Sequence, residues 1–396
     1  MLEYFEILLF QEGSIAMGFL FYFIILFFAC MMLELVRLPV NNSIFIQKRN
    51  FSKKRFLLFL FLISPIVLIY TLRYSIGTDY FAYKKIFSEL HFTTLSDYIS
   101  LHKQNIGSFY VEPVYFILNR YFSFSYGSLL FVVSVLIFAA VYYGSISVKS
   151  NINLAFVVFI YFCTQFIYSM NGVRFAISIA FVFLGVQYII NKNFLGWSLC
   201  ILLATGFHKT AVICLPLFLC ANFKSIRFSK LRDIIWFSFV LLFPIFTKVL
   251  IGIASGISMF SRYFTVGKYA LGNFSFKPMF LFHIVPVFLP LIIVKKNFII
   301  KDGLAKLLFR ISLFEIPLRE LGSFNTWLSR LARFPQMFQL IFVPYVLQSV
   351  KNSKLRLILK IYFIVWYLFY FMYTALINDA GDSLPYISIF ANGGNW

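Results

Sequence analysis

The chain has few charged residues and very few acidic ones. Only 12% of its 396 residues are charged, and Asp and Glu together number 14 against 35 Lys and Arg. A soluble domain with 61% apolar residues and a mean hydropathy of +0.87 would expose apolar patches far larger than water tolerates. The composition therefore excludes a soluble globular protein and predicts an integral membrane protein.

The chain also lacks the residue patterns that commonly hold metals. Its five cysteines form no Cys-x-x-Cys pair, which disfavours a zinc or redox motif, and within apolar runs they behave as small hydrophobic side chains. There is no Asp-x-Asp pair and no cluster among the four histidines. We therefore predict no metal and no cofactor. The cysteines are Cys30, Cys163, Cys200, Cys214 and Cys220.

The N-terminus lacks a basic region. Residues 1–14 carry three glutamates and no Lys or Arg. A cleavable signal peptide begins with a positively charged stretch, so we expect this segment to be retained.

Apolar runs of about 15–22 residues recur along the chain, close to the ~20 residues that cross a ~30 Å hydrocarbon core as a helix. They predict an all-α polytopic membrane protein with about twelve transmembrane helices, or about ten if the short runs between 154 and 222 are broken or re-entrant. No internal repeat or low-complexity linker occurs, so residues 1–396 are predicted to form a single transmembrane domain. The predicted spans are 15–36, 56–72, 126–146, 154–170, 174–190, 194–207, 209–222, 233–250, 279–294, 306–321, 335–349 and 361–377.

Basic residues cluster in loops that follow alternate spans. The positive-inside rule places such loops in the cytoplasm, so both termini and two long loops, near 73–125 and 251–278, are predicted to face outward. The same rule accounts for the net charge of +21. Binding to nucleic acid is not predicted, because no basic domain stands outside the membrane. The basic loops are 47–55, 224–232, 295–306 and 351–360.

Arginines collect on the predicted outer face, where the positive-inside rule does not require them. A planar guanidinium offers paired donors and stays charged, which suits it to phosphate. Together with a His, an Asp and a Glu on the same side, these arginines indicate a site for a lipid-linked phosphate substrate. They are Arg73, Arg120, Arg174, Arg262, Arg319, Arg330 and Arg333.

Residues 72–86, LRYSIGTDYFAYKKI, combine a turn with a potential site. Gly77 permits a turn, and Thr78 or Asp79 is expected to cap a short helix. That interpretation explains the local structure, but it leaves open why Arg73 stands at the membrane boundary close to a carboxylate.

Two further stretches place single ionisable residues at predicted helix ends. In SMNGVRFAIS, Arg174 follows a turn at Asn171 and Gly172, and it is either a snorkelling arginine or a functional charge that faces the bundle. In GFHKTAVICLPLFL, His208 is either hydrogen-bonded at the membrane interface or a general base, since imidazole titrates near neutral pH.

The remaining candidates lie in three other outer segments. In TWLSRLARFPQ, Arg330 and Arg333 share one helical face, and they either clamp one diphosphate or are solvated among lipid headgroups. FSRYF contributes Arg262 and YVEPVYFILNR contributes Glu112, and each is a weak signal by itself.

At these residues the chain resembles the EpsG-like members of the Wzy-type polysaccharide polymerases. The resemblance rests on an Arg-x3-Gly-Thr-Asp-Tyr-x2-Tyr pattern, an arginine that opens the fifth span, a Phe-His pair and a later Arg-Tyr pair. Phe175 follows the fifth-span arginine where we expect Gln in the family, so an amide role at that position is in doubt. The matching residues are Arg73, Gly77, Thr78, Asp79, Tyr80, Tyr83, Arg174, Phe207, His208, Arg262 and Tyr263.

The resemblance implies an enzyme of the bacterial inner membrane that joins oligosaccharide repeat units carried on undecaprenyl diphosphate. At the periplasmic face, the growing glycan leaves its lipid diphosphate and is transferred to a sugar hydroxyl of the next lipid-linked unit, which builds a surface polysaccharide such as O-antigen or capsule. The implied partners are the lipid-linked donor and acceptor, the bilayer, and a chain-length regulator or flippase.

The expected roles follow from the bond that breaks. Negative charge builds on the leaving diphosphate oxygen, where positioned guanidinium groups stabilise it. His208 is the first choice for a base near the acceptor hydroxyl, with Asp79 or Glu112 as alternatives, because a carboxylate crowded by arginines has a lowered pKa. The candidate diphosphate ligands are Arg73, Arg174, Arg262, Arg330 and Arg333.

Two other functions remain open. An O-antigen ligase would use the same donor and transfer the glycan to lipopolysaccharide core. A lipid-linked oligosaccharide flippase would carry charge through the depth of the membrane. Most spans have no charge in the middle, with Lys248, Arg310 and Glu315 as borderline cases, and this favours an external catalytic site.

Overall fold

The computed structural model describes residues 2–36, 53–104, 110–148, 152–222, 238, 280–293, 303–323, 328–377 and 382–392. The structure is 84% helix, and these residues contain no strand. The prediction of an all-α protein is confirmed.

The helices of the described residues are numbered here in chain order. They are α1 Leu2–Val36, α2 Lys53–Leu62, α3 Ser64–Thr71, α4 Tyr80–His91, α5 Leu95–Lys103, α6 Pro113–Tyr121, α7 Tyr126–Ile146, α8 Leu154–Tyr161, α9 Ile167–Asn171, α10 Val173–Leu184, α11 Val186–Ile190, α12 Phe194–Phe207, α13 Phe280–Ile293, α14 Gly303–Leu313, α15 Glu315–Glu320, α16 Arg333–Gln336, α17 Gln339–Gln348 and α18 Ser353–Met372. The π-helical and 3-10 segments are Phe162–Phe166, Lys209–Asn222, Leu321–Ser323, Leu328–Ala332, Tyr373–Ile377 and Ile389–Asn392.

Five helical stretches of the described residues are long and apolar enough to cross a membrane. A sixth is formed by α2 and α3 together, although the two are bent by 65°. Pro65 lies in the first turn of α3 and has no N–H to continue the helical ladder, which accounts for the bend. The five stretches are Ala16–Val36, Tyr126–Ile146, Leu154–Asn171, Val173–Ile190 and Ser353–Ala375.

In the part of the chain that the structure describes, none of the other predicted spans is a single straight helix long enough to cross a membrane. Helix α12 has 14 residues, which at 1.5 Å per residue rise about 21 Å. The predicted span 209–222 is a 3-10 helix. Nearly all of 233–250, and the predicted outer loop 251–278, lie outside the described residues. The count of twelve spans therefore stays a prediction.

The predicted span 306–321 is interrupted. Helix α14 ends at Leu313 and α15 begins at Glu315. Pro317 explains the break, because a proline lacks the N–H of the helical ladder and its ring would clash with the carbonyl of Leu313, four residues earlier.

The chain forms two compact units. The first unit comprises Met1–Gln187, Ser198–Val212 and Ile364–Trp396, and the second comprises Tyr188–Trp197 and Ile213–Phe363. The single-domain organisation expected from the sequence stays a prediction.

In the first unit, α7 packs against both α3 and α10, and α1 packs against α3 and α8. The long loop near 73–125 folds into α4, α5 and α6. The ring of Tyr98 in α5 stacks on Phe116 in α6 with centroids 4.0 Å apart. The Tyr98 hydroxyl donates to the carbonyl of Val111 at 2.7 Å. These contacts make the loop a packed helical layer.

One end of the first unit gathers segments that are distant in sequence. The backbone N–H of Tyr74 donates to the carbonyl of Ile387 at 2.9 Å. The Tyr22 hydroxyl donates to the carbonyl of Ser383 at 3.1 Å. Tyr74, Ser383 and Ile387 come from segments predicted to face outward, whereas Tyr22 lies within the first predicted span. The side of the membrane on which they lie stays a prediction.

In the second unit, α13, α14, α15 and α17 pack together. Val287, Leu313 and Ile316 form a buried apolar cluster between the first three of these helices. Proline is frequent in this unit. The prolines within its described helices are Pro216, Pro286, Pro290, Pro317, Pro335 and Pro344.

Candidate functional site

An arginine–glutamate pair lies at the gathered end of the first unit. Arg174 Nη1 donates to Glu112 Oε2 at 2.7 Å, and the two side chains are 22% and 12% exposed. The other carboxylate oxygen, Oε1, accepts the backbone N–H of Lys209 at 3.2 Å. Charge-assisted hydrogen bonds hold both groups in place, so the guanidinium is oriented within a side chain that is partly accessible.

Each member of the pair stands at the start of a helix. Glu112 is the N-cap residue of α6, ahead of Pro113, whose fixed φ suits the first helical turn. Its carboxylate makes no capping hydrogen bond within α6 and pairs with the arginine instead. Arg174 is the second residue of α10, just after the helix break at Gly172.

His208 lies where α12 ends and a 3-10 segment begins. Its Nδ1 is 2.7 Å from Thr210 Oγ1. Its ring meets the ring of Phe175 edge-on, with centroids 5.1 Å apart. Because Phe175 follows Arg174 and Lys209 follows His208, these contacts bring the histidine beside the ion pair.

We call Glu112, Arg174 and His208 the Arg174 cluster. The structure thus brings together three of the residues predicted from the sequence. A glycine permits this approach of α6 to α12: a Cβ at Gly206 would lie 2.3 Å from Val114 Cγ2. A Cβ at this position would therefore force Val114 or the backbone around it to shift.

Tyrosines surround the arginine. The centre of the Arg174 guanidinium is 5.9 Å from the ring centroids of both Tyr83 and Tyr115, within the range of cation–π attraction. Burial raises the pKa of Tyr115 well above its ordinary value. Burial and, second, the charge of Glu112 raise the pKa of Tyr98 to about 12. The Tyr98 and Tyr115 phenols are therefore uncharged at neutral pH.

Lys209 and Tyr110 extend the cluster and were not singled out by the sequence patterns. Lys209 Nζ donates to the Tyr110 hydroxyl and lies 4.3 Å from its ring centroid. The ring of His102 stacks on Tyr110 with centroids 6.4 Å apart. The position of Lys209 directly after His208 was the only signal in the sequence.

Arg73 is fully buried, at 0% exposed. Its Nη1 donates to the carbonyl of Tyr70 at 2.7 Å, and its Nη2 donates to the carbonyl of Met170 at 3.1 Å. These bonds tie the end of α3 to the end of α9. In this arrangement Arg73 has no exposed surface, and its role as a phosphate ligand stays a prediction.

Asp79 is the N-cap residue of α4, but its side chain makes no capping hydrogen bond. Asn171 supplies the cap, since its Oδ1 accepts the Asp79 N–H at 3.0 Å and the Thr78 hydroxyl at 2.8 Å. Gly77 has φ +98°, and a Cβ there would lie 2.9 Å from the carbonyl oxygen of Met170, so this turn requires glycine. The predicted turn and helix are confirmed, whereas the capping side chain comes from elsewhere in the chain. A substrate role for Asp79 is untested.

The predicted arginine pair differs in exposure. Arg330 is exposed in a 3-10 segment, whereas Arg333 opens α16 and is 3% exposed. The backbone changes from 3-10 to α geometry between them, and a shared helical face for the two arginines stays a prediction. Arg262 lies outside the described residues. The diphosphate roles of these three arginines stay predictions.

Comparison with known protein families identifies the class of the protein. A family model described as the EpsG family matches residues 56–388, which is most of the chain. The chain belongs to the EpsG family. This is a family of Wzy-like polysaccharide polymerases and membrane glycosyltransferase-like proteins, so the resemblance read from the sequence is confirmed. No curated protein and no solved structure matches the chain.

The second unit of this EpsG-family protein holds a buried polar network that the sequence patterns did not reveal as a site. Glu315 is completely buried, with Oε1 2.7 Å from His283 Nδ1 and 3.4 Å from Arg319 Nη2. Its Oε2 accepts a hydrogen bond from Gln339 Nε2. Arg319 Nη2 also donates to Gln336 Oε1 at 3.3 Å. We call these five residues the Glu315 network.

One signal for this network was present in the sequence. Glu315 and Arg319 are four residues apart, which places them on one helical face, and they lie in an apolar run where charge is costly. His283 and the glutamines gave no such signal, because only the tertiary fold brings α13 and α17 to α15.

No group of three His, Cys, Asp or Glu residues in the described ranges lies close enough to hold a metal ion. Metal independence stays a prediction.

Proposed function

We propose that this EpsG-family protein polymerises oligosaccharide repeat units carried on undecaprenyl diphosphate into a surface polysaccharide, at the periplasmic face of the bacterial inner membrane. Membership of a family of polymerase-like membrane proteins supports the reaction class. The observation that carries the proposal is the Arg174 cluster, in which an oriented and partly accessible arginine stands beside a histidine.

The reaction exchanges one bond to the anomeric carbon for another. The oxygen of an acceptor sugar hydroxyl bonds to that carbon while the bond from the carbon to the diphosphate oxygen breaks. The electron pair leaves with the diphosphate, and the hydroxyl proton passes to a base. Arg174 stabilises the charge that develops on the leaving oxygen, an interaction whose loss typically costs on the order of 10²–10³ in rate.

His208 is the proposed base, because imidazole accepts a proton near neutral pH. In the tautomer in which Nδ1 donates to the Thr210 hydroxyl, Nε2 is the nitrogen that accepts the proton. Both oxygens of Glu112 accept hydrogen bonds, so we assign it the positioning of Arg174 rather than proton transfer. Asp79 is proposed to bind a sugar hydroxyl.

A transfer assay tests this proposal. Wild type and the Arg174→Ala and His208→Ala variants are reconstituted in liposomes with the cognate undecaprenyl-diphosphate repeat unit. We expect wild type to produce a ladder of longer lipid-linked glycans and both variants to lose it while remaining monodisperse. Arg120→Ala is the matched control, since that guanidinium lies against Tyr121 in α6 and is not part of the cluster.

A folded wild type that makes no ladder from its cognate substrate would refute the polymerase. A ladder that survives in both variants would refute the site. A ladder appearing only when lipopolysaccharide core is offered as the acceptor would indicate an O-antigen ligase with the same donor.

The second candidate is a lipid-linked oligosaccharide flippase. It is favoured by the buried charges of Glu315 and Arg319, which lie within a predicted span, where a translocation path would need charge. The same liposomes distinguish the two functions, because a flippase would move the lipid-linked unit across the bilayer without lengthening its glycan.

A further inference from the structure

Two helix breaks meet at the Glu315 network. Glu315 opens α15 directly after the break at Phe314. Gln336 ends α16 and Gln339 begins α17, on either side of a short turn. At membrane depth, irregular backbone is tolerated only where it is buried in protein or lines a cavity. The hydrogen bonds of both glutamines to the α15 side chains place the two breaks side by side.

Folding alone does not require this arrangement. Replacing a buried ion pair by well-packed apolar residues is often neutral or stabilising, and apolar side chains would suit a membrane bundle as well. The second unit instead keeps Glu315 at 0% exposed against an arginine that is 15% exposed, with a buried histidine beside them. Ionisable groups kept inside a membrane protein at such a cost mark substrate or ion sites.

The negative charge of the Glu315 carboxylate determines whether an anionic or a neutral ligand suits the network. Glu315 already counters the charge of Arg319 and pairs with His283 and Gln339. Because this carboxylate has no exposed surface, a diphosphate placed here would bring further negative charge beside it out of reach of solvent, whereas Glu112 and Arg174 are partly accessible. A neutral hydroxyl group suits the same surroundings, because it donates to a carboxylate and accepts from an amide or an imidazole N–H.

We propose that the Glu315 network is a second substrate site, which binds the hydroxyl groups of a neutral sugar. This rests on the proposed function, because a polymerase holds two lipid-linked glycans at once, a donor and an acceptor. The Arg174 cluster binds the diphosphate of only one of the two glycans. The other glycan therefore needs polar contacts elsewhere in the protein.

The test uses two probes on the purified full-length protein in detergent. The first is the free repeat-unit oligosaccharide without lipid or phosphate, and the second is undecaprenyl diphosphate without sugar. A ligand that binds only the folded state raises the Tm, by an amount that depends on its concentration relative to Kd. Each protein is compared with itself with and without probe, so a variant with a lower Tm does not imitate lost binding.

We expect both probes to raise the Tm of wild type. Glu315→Gln and His283→Gln are expected to weaken oligosaccharide binding at least tenfold and to leave undecaprenyl diphosphate binding unchanged. Arg174→Lys is expected to do the reverse. Glu89→Gln is the matched control, because that glutamate pairs with Lys85 across 3.9 Å on the surface of α4.

Two outcomes would overturn the site: loss of undecaprenyl diphosphate binding in Glu315→Gln with oligosaccharide binding kept, or no change for either probe. A wild type whose Tm does not respond to the oligosaccharide would overturn it too. Failure of the polymerase is a separate result, since a protein that forms no ladder but binds the oligosaccharide through Glu315 keeps the site and loses the reaction.

Discussion

The two charged clusters of this protein pair a glutamate with an arginine in opposite ways. In the Arg174 cluster both partners start helices and stay partly accessible, at 22% and 12% exposed. In the Glu315 network the carboxylate has no exposed surface and lies at a helix break. An accessible arginine can meet a ligand without rearrangement of the bundle, whereas a buried carboxylate is tied to the packing around it.

This difference in exposure predicts that the two clusters contribute differently to the reaction and to stability. Removing a partner from an accessible pair leaves a charge that solvent or headgroups can reach, so stability changes little. Removing a partner from a buried pair leaves an uncompensated charge in a low dielectric. We therefore expect mutations in the first cluster to act on the reaction and mutations in the second to act on stability as well as on binding.

The largest expected effect is on stability. Glu315→Ala removes a fully buried carboxylate that Arg319, the buried His283 and the buried Gln339 all contact, and we expect it to lower the free energy of unfolding by about 3–5 kcal/mol. Glu112→Ala should cost clearly less, since Arg174 retains an accessible face. Denaturant titration of both variants in the same detergent measures the difference. Equal losses of unfolding free energy in the two variants would contradict the expected difference in stability between the clusters.

The next effect is on the rate of glycan transfer. Arg174→Ala should lower it by about 10²–10³-fold. Arg174→Lys should retain part of it, because an ammonium keeps the charge but loses the planar paired donors. The initial rate of ladder formation in liposomes measures both. A lysine variant as inactive as alanine, although folded, would indicate that donor geometry matters more than charge.

Sequence patterns located the first cluster far better than the second, for a physical reason. Arg174 follows the helix break at Gly172 and Glu112 precedes Pro113, so a nearby glycine or proline indicates a helix start at each residue. His283 lies inside the apolar helix α13 and Gln339 begins α17, and their pairing with Glu315 depends on long-range packing that no local pattern encodes.

Sequence patterns also did not indicate how exposed each predicted residue is in the folded protein. The family pattern singled out Arg73, and its burial against the carbonyls of Tyr70 and Met170 is a tertiary property. The same holds for the cap of α4, which Asn171 provides across more than 90 residues of sequence. The all-α class was readable because apolar runs close to the length of a membrane-spanning helix are visible in the sequence, whereas the interruption at Phe314 required attention to Pro317.

A smaller effect tests how the first cluster is assembled. Gly206→Ala places a Cβ against Val114, and overpacking of this kind costs about 1–3 kcal/mol. We expect lower stability together with slower transfer, because α12 carries His208 away from Glu112. The double variant Gly206→Ala/Val114→Ala should recover much of both. Failure of the double variant to recover transfer would mean that the approach of α6 to α12 does not set the site.

The smallest expected effect concerns metals, and it applies to both clusters. In each of them the carboxylate is already paired with a guanidinium, so a cation would compete for an occupied partner. In the Arg174 cluster, the positive charge that the diphosphate needs comes from the arginine. We therefore expect EDTA to leave the rate of ladder formation unchanged. Loss of transfer in EDTA with recovery on added Mg²⁺ would contradict this expectation. The rate would then be measured against Mg²⁺ concentration in Glu112→Gln and Glu315→Gln. Only the variant that has lost the carboxylate ligand of the cation would need a higher Mg²⁺ concentration to reach the same rate.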